Sequence, residues 1–157
     1  MRRYLTTLSA ALLAVGGSAA AQVKRVGAPT APISSVVSTP PGYGVVYVAG
    51  MTAGGSGAPI AAGTDTKTQT IAVLEKLKAA LDAEGLSFAD VTMMNVYLVG
   101  DPAKEGRMDS AGMNEAYRQY FGTAAQPNKP ARVTVQVAAL GSPTTLVEIS
   151  LQAARKN

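Results

Sequence analysis

The stretch Pro130-Ala131-Arg132-Val133-Thr134-Val135-Gln136-Val137 alternates strictly between two kinds of side chain. The valines occupy every second position, and Arg132, Thr134 and Gln136 lie between them. Because successive side chains of a strand point to opposite faces of a sheet, the stretch predicts a strand whose valine face packs on the core. Its other face is unusually polar for a chain in which 47% of the residues are hydrophobic.

A second alternating strand is predicted over residues 145–152, directly after the turn residues 140–143. If the two strands pair as a hairpin, Arg132 and Glu148 line one pocket. There the guanidinium binds a carboxylate through two parallel hydrogen bonds, and the glutamate orients water or moves a proton. The alternative is a cross-strand salt bridge between these two side chains, and the pattern alone does not decide between them.

The rest of the chain predicts an α+β layer in the order β-β-α-β-α-β-β. The further strands are predicted at residues 33–38, 45–49 and 91–99, and the helices at residues 66–83 and 110–121. Both helices then cover one face of a mostly antiparallel sheet. The uncovered face stays fairly apolar in strand 91–99, and such surfaces are usually buried by other copies of the same chain.

The N-terminus has the pattern of an export signal. Residues 1–21 combine a positive start, a short apolar run and small residues before Gln22, so a signal peptide cleaved after Ala21 is predicted. A periplasmic or secreted location follows, and an uncleaved N-terminal anchor is the alternative. Residues 22–32 predict a flexible lead-in, and residues 33–157 predict a single domain.

Composition excludes several kinds of chemistry. The chain has no cysteine and no histidine, which excludes disulfides, thiolate nucleophiles, histidine-based triads and zinc sites of the usual kind. Removing the leader leaves 12 basic residues against 10 acidic ones. The basic residues are scattered without interleaved aromatic residues, so nothing in them supports nucleic-acid binding or ribonuclease activity.

Several segments together resemble the RidA/YjgF family, formerly described as endoribonuclease L-PSP-like. They are residues 85–99, Met113-Asn114-Glu115-Ala116-Tyr117 with Tyr120-Phe121, residues 130–140, and Val147-Glu148-Ile149. The resemblance implies a chorismate-mutase-like fold and a homotrimer with three pockets between subunits. It also implies hydrolysis of reactive imines and enamines, such as 2-iminopropanoate, to 2-oxo acids and ammonia, without a metal or organic cofactor.

The same resemblance assigns roles to three residues of this chain. Arg132 matches the arginine that binds the substrate carboxylate, and Glu148 matches the glutamate that positions the attacking water. Gly50 matches a glycine whose backbone approaches the ligand.

Three further pocket positions depart from the family pattern. Val36 stands where a tyrosine is usual, Ala49 where a serine is usual, and Thr134 where a cysteine is usual. Two hypotheses therefore remain: an exported deaminase of 2-imino and 2-enamino acids, or a trimeric protein that binds small carboxylates without turnover.

Overall fold

The computed structural model describes residues 22–55 and 60–157, so the predicted signal peptide lies outside the described residues. These residues form six β-strands and two α-helices. They are β1 (Lys24–Val26), β2 (Val36–Ser38), β3 (Tyr43–Thr52), α1 (Thr66–Ala83), β4 (Val91–Val99), α2 (Ser110–Tyr117), β5 (Ala131–Val137) and β6 (Val147–Lys156). Neither helix combines the length and the hydrophobicity that a membrane crossing requires. The predicted α+β class, with two helices on a mostly antiparallel sheet, is confirmed.

Helix α1 has the bounds that its apolar spacing predicts. Asp65 caps its start by accepting a hydrogen bond from the backbone N–H of Thr68 at 2.7 Å. Leu74, Leu77 and Leu81 lie fully buried on one side, at the three- and four-residue spacing that places side chains on one helix face. The helix therefore forms because it lays an apolar stripe on the sheet.

The four-stranded sheet has the order β3-β6-β4-β5, which corrects the predicted hairpin of the last two strands. Strand β5 pairs with β4 in parallel, because α2 carries the chain back before β5 begins. Residues 138–146 then cross the end of β4, where the N–H of Val99 donates to the carbonyl of Leu146, and β6 pairs with the other edge of β4. Strand β4 thus separates Arg132 from Glu148.

The two faces of this sheet differ sharply. The face under the helices contains the fully buried core residues Met94, Val96 and Leu98 of β4 and their neighbours in β6. The opposite face, which we call the open face, carries large apolar side chains in contact with solvent. These are Val45, Tyr47, Val133 and Val135, with exposed fractions of 50%, 75%, 41% and 39%.

The prediction that Val133, Val135 and Val137 pack on the core is wrong. Val133 and Val135 lie on the open face, whereas Arg132 and Thr134 lie on the helix-covered face. Alternation along a strand defines two faces but does not say which one the helices cover. That choice is made by the register of β5 against β4, where Arg132 pairs with the fully buried Met94.

The segment predicted as a flexible lead-in contains a strand. Strand β1 pairs with β2, and Arg25 donates hydrogen bonds to the carbonyls of Ala89 and Val91 at 2.8 and 3.0 Å. These two hydrogen bonds attach the two-stranded sheet of β1 and β2, which we call the N-terminal ribbon, to the start of β4. Helix α2 is also shorter than predicted and ends at Tyr117.

Candidate functional site

Arg132 lies half-buried at the start of β5, beneath α2. Its Nη2 donates to Oδ1 of Asn114 at 2.8 Å, and its Nη1 lies 3.8 Å from the sulfur of Met113. The centre of the guanidinium stands 4.5 Å from the centroid of the Tyr117 ring, a cation–π contact. Three neutral side chains on one helix therefore surround the cation.

The positive charge of Arg132 has no carboxylate partner among the described residues. The ion pairs found there are Lys67–Glu115, Lys78–Asp82 and Arg155–Glu84. Burial lowers the pKa of Arg132, the Tyr117 hydroxyl opposes that shift, and the like charge of Arg118 lowers the pKa further. A guanidinium nevertheless stays charged at neutral pH, so this corner of the protein can bind an anion.

Tyr117, which underlies that guanidinium, is itself almost completely buried. Only 1% of the residue is exposed, and burial raises the pKa of its phenol to about 12. Its ring also stacks on Phe121, with centroids 4.8 Å apart. The aromatic surface under Arg132 is thus neutral at physiological pH and held by core packing.

Glu148 is placed on the open face by its pairing with Tyr97 and Thr52. Its carboxylate lies against the backbone of Gly50, where an added Cβ would stand 2.1 Å from Oε1. Strand β3 has a register irregularity between Val48 and Met51, as expected for a β-bulge, and Gly50 lies within it. Gly50 therefore leaves room for this carboxylate at the irregular part of the strand.

The six predicted site residues fall into separate places in one protomer. Arg132 and Thr134 share the helix-covered face, whereas Glu148 lies on the open face beside the bulge that contains Ala49 and Gly50. Val36, 53% exposed, lies in the N-terminal ribbon. The fold of a single chain thus brings Gly50 to Glu148 and does not bring Glu148 to Arg132, so the alternative cross-strand salt bridge does not form.

Thr134 lies two residues after Arg132, on the same face of β5. Its Oγ1 is buried without a hydrogen-bond partner in the described part of the chain. Most buried hydroxyls are hydrogen-bonded, so an unpartnered one next to a candidate site is informative.

Two contributors to the site were not predicted as functional. Asn114 supplies the acceptor for Arg132, and Lys76 holds the end of β3 by donating to the carbonyls of Thr52, Ala53 and Gly54 at 2.9, 2.8 and 2.5 Å. The available signal for Asn114 was its position next to the apolar stripe of α2. No sequence signal identifies which carbonyls a helix lysine reaches.

The described residues contain no cluster of side chains suited to bind a metal ion. No group of three acidic side chains gathers there at distances suited to a metal ion. What the site offers is a fixed cation, a carboxylate on the other face and backbone groups.

Comparison with known proteins identifies relatives along nearly the whole described chain. The family model described as endoribonuclease L-PSP matches residues 23–155. A RutC family protein of Pyrococcus horikoshii is 45% identical over 85 residues, which cover 54% of this chain and 59% of the relative. A RutC family protein of Saccharolobus solfataricus is 38% identical over 89 residues, covering 57% and 62%. The matched region thus spans only about three fifths of either curated relative.

Solved structures show the same fold. Escherichia coli TdcF with bound serine is 30% identical, with a TM-score of 0.59 over 84% of this chain and 98% of that one. A Rid family protein of Yersinia pestis has a TM-score of 0.68 over 85% and 98% at 24% identity, which supports the fold alone.

Proposed function

Because the chain belongs to the endoribonuclease L-PSP family, the RidA/YjgF proteins, we propose that it hydrolyses reactive 2-imino and 2-enamino acids to 2-oxo acids and ammonia. The site we propose combines Arg132 of one protomer with Glu148 of a neighbouring copy in a homotrimer.

The observation that carries this proposal is the uncompensated charge of Arg132. A half-buried guanidinium that meets an amide, a thioether and a ring keeps most of its hydrogen-bonding capacity for another group. A planar carboxylate fits that fork with two parallel hydrogen bonds. The bound serine in the TdcF structure is also a small molecule with a carboxylate, which supports this class of ligand.

The open face supports the role of a second copy. It exposes Val45, Tyr47, Val133 and Val135, a set of large apolar side chains that a monomer would leave in water. Glu148 lies on this same face, so association through it places Glu148 at a subunit boundary. A neighbouring copy is then able to supply the group that one chain keeps away from Arg132.

The proposed reaction requires only two functions from the site, namely binding of the substrate carboxylate and orientation of a water molecule. Arg132 binds the substrate carboxylate, and Glu148 orients a water molecule toward the imine carbon. The water oxygen forms a bond to that carbon and its proton passes to nitrogen through the carboxylate. The second water proton then moves from oxygen to nitrogen, and the carbon–nitrogen bond breaks as the carbon–oxygen double bond forms, releasing ammonia and leaving the 2-oxo acid. An enamine first tautomerises to the imine by gaining a proton at carbon.

The direct test is hydrolysis of 2-aminoacrylate generated in place by a serine dehydratase. We expect faster pyruvate release than in buffer, with Arg132→Ala and Glu148→Gln each reducing the acceleration at least about tenfold. Lys78→Gln removes an exposed cation from α1 and serves as the control. Absence of acceleration, or an Arg132→Ala protein as fast as the wild type, would reject the proposal.

The second candidate function is binding of small carboxylates without turnover. Val36 is exposed and apolar, and Ala49 in the bulge carries only a methyl group, so neither provides a hydroxyl to fix an imine or its water. Thermal-shift measurements against 2-oxo acids and benzoate distinguish the two functions. Stabilisation that requires Arg132, together with no gain in pyruvate release, favours the binding protein.

Export is part of the proposal, on the pattern of residues 1–21. We expect the protein expressed in a Gram-negative host to be recovered from the periplasm with Gln22 as its first residue. Intact-mass measurement tests this, and a full-length mass in the cytoplasmic fraction would contradict it.

A further inference from the structure

The neighbours of Arg132 on α2 share one property: none of them is charged. Asn114 holds Nη2 at 2.8 Å, Met113 lies near Nη1 at 3.8 Å, and the Tyr117 ring supports the guanidinium plane at 4.5 Å. We call these three side chains the neutral cradle. Burial of a guanidinium is usually compensated by a carboxylate, because an unpaired buried charge is costly.

Within the neutral cradle, Asn114 is the position at which an aspartate would neutralise the charge of Arg132. Aspartate has almost the same shape as asparagine and offers the same acceptor oxygen, so an aspartate at this position would hold Arg132 equally well. It would also neutralise the guanidinium and compete with any bound carboxylate. An amide at this position therefore orients the cation without satisfying its charge.

A second positive group reinforces this arrangement. Arg118 follows α2 directly, and its charge acts on Arg132 in the direction expected for two cations near each other. The described ion pairs contain neither residue. Arg118 therefore adds a second positive charge near Arg132, which favours an anion there over a neutral or cationic molecule.

We propose that Asn114 is a positioning residue that keeps Arg132 an open receptor for carboxylates by holding it with a neutral amide. The inference deepens the proposed function and rests on its carboxylate site. It concerns binding, so it does not depend on whether the bound molecule is hydrolysed.

The test is calorimetric titration of pyruvate, a 2-oxo acid, into the full chain and three variants. We expect Asn114→Asp to weaken pyruvate binding at least about tenfold, and Asn114→Ala to weaken it less. Gln119→Glu adds the same charge on an exposed part of the chain after α2 and should change affinity less than about twofold.

The order of the two variants separates positioning from simple structural support. If Asn114 only supports the structure, Asn114→Ala weakens pyruvate binding more than Asn114→Asp does, because aspartate preserves the shape and the hydrogen bond. If Asn114 keeps Arg132 open to carboxylates, Asn114→Asp weakens pyruvate binding more, and its melting temperature is equal to or above that of the wild type. Melting curves of all four proteins accompany the titrations to show that each is folded.

The outcomes are distinct. Pyruvate affinity of Asn114→Asp equal to that of the wild type, a greater loss in Asn114→Ala, or no pyruvate binding by the wild type would each overturn the inference. Asn114-dependent pyruvate binding without 2-aminoacrylate hydrolysis would uphold it and reject the deaminase proposal alone.

Discussion

The two faces of the four-stranded sheet differ in how far the chain itself buries their apolar side chains. On the helix-covered face the chain closes its own core, with Leu74, Leu77 and Met94 fully buried. On the open face the same chain leaves Tyr47 75% exposed and Val135 39% exposed, beside Glu148. The apolar side chains of the covered face are buried by the chain itself, whereas those of the open face remain in contact with solvent, as is typical of interaction surfaces.

This difference explains the position of the candidate site. Arg132 lies on the helix-covered face and is held by α2, whereas Glu148 lies on the open face. Strand β4 lies between Arg132 and Glu148 and their side chains lie on opposite faces, so the proposed site takes its glutamate from another copy of the chain. The proposed reaction therefore depends on association in a way that folding of the single chain does not.

The largest expected effect is loss of core packing on the covered face. Leu77→Ala removes a fully buried side chain and should reduce the free energy of unfolding by about 2–5 kcal/mol. Val45→Ala on the open face should cost at most about 0.5 kcal/mol if that face meets only water. Urea unfolding measures both values. A cost for Val45→Ala that rises with protein concentration would show that other copies bury it.

The next effect concerns assembly. Val135→Asp puts a charge on the open face, and we expect it to dissociate the proposed homotrimer into single chains and to abolish the proposed hydrolysis of 2-aminoacrylate. Light scattering after size exclusion measures the mass. Ala79→Asp adds the same charge at an exposed position of α1 and is the control. If Val135→Asp keeps both mass and activity, the open face is not the interface.

A smaller and more local effect is expected at the bulge. In Gly50→Ala the new methyl group meets Oε1 of Glu148 at 2.1 Å, so the carboxylate must move. Because a side-chain end shifts at little cost, we expect a folded protein with kcat reduced about tenfold and pyruvate affinity nearly unchanged. Gly141→Ala has open space around the added atom and is the matched control. Equal kcat in the two variants would remove Glu148 from the mechanism.

The smallest effect is expected at Thr134. Replacing its unpartnered buried hydroxyl by a methyl group in Thr134→Val should leave stability unchanged or raise it by at most about 1 kcal/mol. If only the backbone of residue 134 faces the ligand, pyruvate affinity stays the same. A clear loss of affinity measured by calorimetry would show that Oγ1 bonds to the ligand and would explain why it has no partner within the chain.

Much of the local structure was predictable, because local signals determine it. Helix α1 follows from Asp65 as a cap and a leucine stripe, and β4 follows from its apolar run between turns. The pairing of strands was not predictable in the same way. Residues 140–143 were predicted to form a hairpin turn, whereas the nine residues between β5 and β6 are long enough to cross β4.

The candidate site shows the same division. Arg132 and Glu148 were identified from their residue types and their resemblance to family motifs. Their separation onto two faces, and the contacts of Arg132 with Asn114 and Tyr117, depend on side chains distant in the sequence.

The sequence by itself determined the α+β class, the family, the helix α1 and the alternation that makes each strand two-faced. The tertiary structure decided which of those faces the helices cover, that β4 lies between β5 and β6, and that neutral groups surround Arg132. The reason is physical: periodicity and capping act between residues a few positions apart. Strand order and burial are set by which distant surfaces exclude water from each other.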